Sequence, residues 1–177
     1  MIFALGAVAL GIVLGLAVGG SFGGLARAKL RFEWMIVVLF LLQGLARGRI
    51  VGAPLPWALG IWTAASIGLI VLLAVNYKIP GLLVASLGTL LNLDATLLNF
   101  GMPVFFQVPD SAVGAAIRRS GGLYAALDGS TKWAPLGDVF RLSVGAQTVL
   151  LSTGDVLLIV GICVAIVAFM SPRSGTE

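Results

Sequence analysis

The sequence contains no histidine and a single cysteine. The first absence removes the commonest metal ligand and the general base of Ser-His and Cys-His catalytic pairs. The second excludes an intrachain disulfide and any site built from several thiolates. Charge is scarce too: 10% of the 177 residues, against about 25% in an ordinary soluble domain. With 59% of its residues hydrophobic and a mean hydropathy of +1.10, such a chain could not cover a globule with polar surface. The expected solvent over most of its length is therefore lipid.

Net charge is +4. The basic residues lie between apolar runs, where Lys and Arg set membrane topology, so nucleic acid is not an expected partner. Cys163 sits inside an apolar run and reads as a small buried hydrophobe. The carboxylates show no metal-ligand spacing, and no metal or organic cofactor is expected.

Five apolar runs are present, at about 1–20, 32–47, 57–75, 80–100 and 153–170. They predict an all-α membrane protein of about five transmembrane helices in one domain, the bilayer being its first partner. No Lys or Arg precedes the first run, which is also long for a signal peptide, so a retained helix is expected. Gly11, Gly15 and Gly19 recur every four residues and define a helix-packing face. That face would meet another helix of the same chain, a protein partner or a second copy. Run 32–47 is short for a span, with Glu33 at its start and Arg47 and Arg49 at its end. Glu33 is expected to pair with a neighbouring basic residue at the interface. Trp57 and Trp62 mark one boundary of the third run, Tyr77 and Lys78 the other.

The basic cluster Arg27, Lys29 and Arg31 follows the first run and should be cytoplasmic, giving an N-out, C-in topology. Residues 105–150 then form an extracytoplasmic cap of helix and loop between the fourth and fifth spans. Asp110 or Ser111 can start a short helix ending near Ser120, Leu123–Leu127 another half-turn, and Asp128-Gly129 a turn.

Polar residues cluster at the outer end. Ser86, Thr89, Asn92, Thr96 and Asn99 share one helical face, while Asp94 points elsewhere and is expected near an arginine. Gly101-Met-Pro should close that helix, and Ser152-Thr-Gly-Asp155 should cap the last one. The candidate cluster is Asn92, Asp94, Asn99, Asp138 and Asp155, with Asn99, Asp138 and Asp155 converging where helices meet cap. Three function classes use it differently. A non-catalytic accessory subunit of a membrane complex, held by the glycine face and the cap, asks least of the sequence. An ion or polar-solute channel component would use Asn92, Asp94 and Asn99 as ligands. An intramembrane aspartyl hydrolase would use Asp138 and Asp155, which recur as Gly-Asp-Val, as carboxylates sharing a proton.

Asn99-Phe-Gly-Met-Pro-Val104, Leu136-Gly-Asp-Val139 and Ser152-Thr-Gly-Asp-Val-Leu-Leu158 occur in that order before a final apolar helix. In this the chain resembles the bacterial domain of unknown function 5317 family, whose pattern is Asn-Gly-Gly-Met-Pro-Val, Leu-Gly-Asp-Val and Ser-Val-Gly-Asp-Val-Leu-Leu. The sequence departs from it at Phe100, where the family has glycine, and at Thr153, where it has valine. The resemblance implies a multi-pass protein of the bacterial inner membrane and carries no activity with it.

Overall fold

The computed structural model describes residues 2–46, 57–105, 123–144 and 147–171. These residues hold six α-helices: α1 (Ile2–Ala17), α2 (Phe22–Ala26), α3 (Glu33–Ala46), α4 (Ala58–Val75), α5 (Leu82–Leu98) and α6 (Thr153–Met170). Of these, α4 and α6 are long and apolar enough to cross a membrane, and Leu5–Ala17, Glu33–Ala46 and Leu82–Leu98 are shorter apolar helices.

Local chemistry sets the helix ends. Gly19, with φ +82°, ends α1: its N–H donates to the Leu16 carbonyl, and the Gly20 N–H to the Gly15 carbonyl. This pair of bonds is a Schellman stop, for which glycine is favoured. Gly19 thus terminates the helix instead of extending its packing face, while Gly11 and Gly15 do pack, against α6. A methyl on Gly11 would lie 3.0 Å from Ile166 Cβ, and one on Gly15 would lie 2.6 Å from Met170 Sδ. That face is therefore occupied within the chain.

The long helices neighbour one another in the order α3–α4–α5–α6–α1. The contacts Gln43–Ser66, Ser86–Ile70 and Asn92–Asp155 belong to antiparallel neighbours, whereas Gly11–Ile166 and Gly15–Met170 make α1 parallel to α6. The chain thus runs end to end five times.

Polar residues lie inside beside an apolar core, and large apolar residues also cover much of the outside. The buried set includes Ser66, Asn76, Ser86, Thr89, Asn92, Thr96 and Ser152. Outward faces carry Leu5, Val13, Leu14, Trp34, Val37, Val38, Leu41, Ile67, Val71 and Leu87. The central pair α5–α6 meets through small residues: Gly81, Ala85 and Gly88 face Gly154, Gly161 and Ala165, so a methyl on Gly161 would lie 2.5 Å from both the Ala85 nitrogen and the Gly81 oxygen. Backbones this close gain dispersion energy and can hydrogen-bond across the interface.

Where it is described, the segment between α5 and α6 contains strands, which were not expected. β1 (Met102–Val104) pairs in parallel with β2 (Tyr124–Ala126), and β3 (Phe140–Val144) pairs antiparallel with β4 (Gln147–Leu151). The half-turn expected at Leu123–Leu127 is thus strand. Phe140-Arg-Leu-Ser-Val144 alternates apolar and polar residues, the period of a strand. A short 3₁₀ turn, Ala134–Leu136, precedes β3. The helix expected at 110–120 lies outside the described residues.

Candidate site at the junction of helices and cap

Three links tie the strand segment to the helices. The first is a closed polar triangle between α5 and α6. Ser152 caps α6, its Oγ accepting from the Asp155 N–H at 2.8 Å while Asp155 Oδ2 accepts from the Ser152 N–H at 3.3 Å. This is a capping box, which satisfies two helix-end donors and places a carboxylate at the positive end of the helix dipole. Asn92, 6% exposed on α5, completes it: its Nδ2 donates to Asp155 Oδ1 at 2.8 Å and its Oδ1 accepts from Ser152 Oγ at 2.6 Å. The Gly154 position explains its neighbour. A methyl there would strike the Asn92 side chain and the Gly88 carbonyl oxygen.

The second link is Asn99, at the C-cap of α5. Its Nδ2 donates to the Ala95 carbonyl at 2.8 Å and to the Lys132 carbonyl at 2.9 Å, and its Oδ1 accepts from the Lys132 N–H at 2.8 Å. The amide so mimics a strand partner for Lys132. The third link is β1 itself. Met102 N–H donates to the Leu123 carbonyl, and Asp138 N–H to the Pro103 carbonyl, both at 2.8 Å. Gly137 lies so close that a methyl on it would come 2.7 Å from the Pro103 oxygen. Gly-Met-Pro-Val and Leu-Gly-Asp-Val are thus two sides of one contact. Thr153 Oγ1 adds a bond to the Pro135 carbonyl at 2.8 Å.

Asn99, Asp138 and Asp155 each belong to one of these three anchors at the junction of helices and cap. Asp155 spends both oxygens on Asn92 and Ser152, and Asp138 takes part through its backbone. Among the described residues no hydrogen bond joins Asp138 to Asp155, and each Gly-Asp belongs to its own turn. Asp94 is exposed on α5 and stands outside the cluster; it makes no ion pair among the described residues, and neither does Glu33. Arg47 and Arg49, at the end of the second run, lie outside the described residues.

Sequence reasoning missed Ser152 as a partner of Asn92, and the seam of Gly81, Gly88, Gly154 and Gly161. Gly81, the N-cap of α5, and Gly88 are seven residues apart, as are Gly154 and Gly161, which is two turns on one face.

These features define a helical bundle whose ends are stitched by amide, hydroxyl and backbone groups to a small stranded cap. A family model covers residues 27–167, and the chain belongs to that family, the family of unknown function DUF5317. No curated protein and no solved structure matches the chain.

Proposed function

We propose that the protein is a five-span protein of the bacterial cytoplasmic membrane, N-terminus outside and C-terminus inside, acting as a non-catalytic accessory subunit of a membrane complex. Supporting the membrane reading is the apolar outer surface of the bundle. Hydroxyl and amide side chains lie inside beside the apolar core, while large apolar residues cover much of the outside, as is favoured when lipid is the solvent. The three shorter helices, at 1.5 Å per residue about 20–26 Å long, would span by drawing flanking charges to the headgroups.

The observation that carries the accessory reading is the commitment of the junction's polar groups. Asn92, Asn99, Ser152 and Asp155 all satisfy backbone or one another. A solute site would hold such groups toward a cavity instead. The test is purification from native membranes in mild detergent, followed by reconstitution. A stoichiometric assembly larger than the 18.2 kDa chain, with no ion flux from the chain alone in liposomes, is expected. A lone chain that conducts ions would overturn the reading.

A further inference from the structure

We propose that the end of the bundle opposite the cap holds an anionic phospholipid headgroup, in an open groove of about 500 Å³ between α2 and the start of α3. The inference rests on the membrane reading above. Lys29, Leu30, Phe32, Glu33 and Trp34 line the groove. Its floor is fixed, because Leu30 packs against both the Leu73–Leu82 and the Leu69–Leu72 clusters.

The sequence shows three basic residues here, and the fold adds a fourth. Asn76, 5% exposed, clasps the Arg31 backbone from both sides: its Oδ1 accepts from the Arg31 N–H at 2.8 Å, and its Nδ2 donates to the Arg31 carbonyl at 3.1 Å. That clasp brings the α4–α5 turn, and Lys78 two residues further on, to the end that carries Arg27, Lys29 and Arg31. All four cations are exposed. Four is the lower bound of a basic cluster that selects anionic lipid, each cation contributing about fivefold in affinity.

A lipid fits better than a free anion because the charges are interleaved with rings. Phe22 and Phe32 are each 59% exposed, Trp34 is 77% and Tyr77 57%. The amphipathic rings of Trp34 and Tyr77 favour the headgroup level of a bilayer. Phe32 also has φ +60°, a conformation that L side chains seldom take. Glu33 is the one acid in the lining; it can accept from a headgroup hydroxyl while the cations take the phosphate.

The protein is reconstituted into vesicles of phosphatidylcholine carrying brominated phosphatidylglycerol or, separately, brominated phosphatidylcholine. Quenching assigned to Trp34 is the difference between wild type and Trp34→Phe. The anionic lipid is expected to quench far more effectively in wild type, and Lys29→Gln with Lys78→Gln to lower that ratio by more than about tenfold. Equal quenching in wild type, an unchanged ratio in the double variant, or displacement of the lipid by inorganic phosphate would each overturn the proposal. Extraction of the native membranes with alkaline carbonate separates the two claims. A chain that is washed off refutes membrane embedding, whereas one that stays but shows no lipid preference refutes only the headgroup site.

Discussion

Asn92 on α5 and Asp155 in the first turn of α6 are joined by a 2.8 Å hydrogen bond across the tightest helix pair of the bundle. The bond couples helix capping to helix packing, because Asp155 also caps Ser152 and Ser152 bonds back to Asn92. Removing Asn92 therefore strands two polar groups at once. Asn92→Ala is expected to cost about 1–3 kcal/mol. The cycle with Asp155→Ala should show a coupling of about 0.5–3 kcal/mol in reversible unfolding in detergent. Additive losses would mean that the two residues act independently.

The glycine seam predicts a reversal of sign. In an exposed helix interior, Gly→Ala stabilises by up to about 1 kcal/mol. Gly60, on α4, has nothing within 4 Å of an added methyl and should follow that rule. Gly88 and Gly161 should do the opposite, since their methyls would come 2.5 Å from the oxygens of Gly154 and Gly81 respectively. A loss of about 1–3 kcal/mol is expected for each, as in other overpacked interfaces. The comparison of the three variants by thermal denaturation decides it; stabilisation at Gly88 would show that the seam is looser than described.

What could be read in the sequence follows from periodicity. All five apolar runs became helices, and the last, Thr153–Met170, matched its expected limits because Ser152 and Asp155 form a strong cap. Gly11 and Gly15 were legible through their four-residue spacing. Gly88, Gly154 and Gly161 were not, because a seven-residue spacing with large residues between looks unremarkable until two helices are set side by side. The strands were hidden for another reason. β1 and β2 have three residues each, too few for a pattern, and they are held by pairing between distant segments. Asp94 and Asn92, two residues apart, look equally polar in the sequence; only the packing of α6 against one face makes Asn92 buried and leaves Asp94 exposed.

The turn after β2 gives a pH-dependent readout. Asp128 Oδ1 accepts from Ser130 Oγ at 2.7 Å and from the Ser130 N–H at 2.8 Å, and these bonds hold its carboxyl below the usual value of 3.8. A folded pKa below the unfolded one means that the turn's contribution is complete above the unfolded pKa. It is lost as pH falls through the folded one. A carboxyl-carbon NMR titration should place the Asp128 midpoint below 3.8, and Ser130→Ala should move it upward. An unchanged midpoint in Ser130→Ala would remove the hydroxyl as the main cause.

Phe100 is the residue the helix end least suits. The Gly101 N–H donates to the Thr96 carbonyl at 2.8 Å and the Phe100 N–H to the Leu97 carbonyl at 3.5 Å, the two bonds of a Schellman stop. In that motif the left-handed position belongs to Phe100, whose φ is +52°, and not to Gly101, which sequence reasoning chose. A left-handed conformation costs an L residue roughly 1–2 kcal/mol, whereas glycine adopts it freely. The ring offsets little of this, being 84% exposed. Phe100→Gly also places there the glycine of the resembled pattern. Against the relief stands the greater unfolded-state freedom of glycine, worth about 0.5–1 kcal/mol. The net expectation is a gain of about 0.5–1 kcal/mol, with Phe100→Ala giving none, because alanine keeps the strain. Unfolding measurements on the two variants discriminate: equal effects of Gly and Ala would trace the change to loss of the ring, and only a glycine-specific gain fits the strained stop.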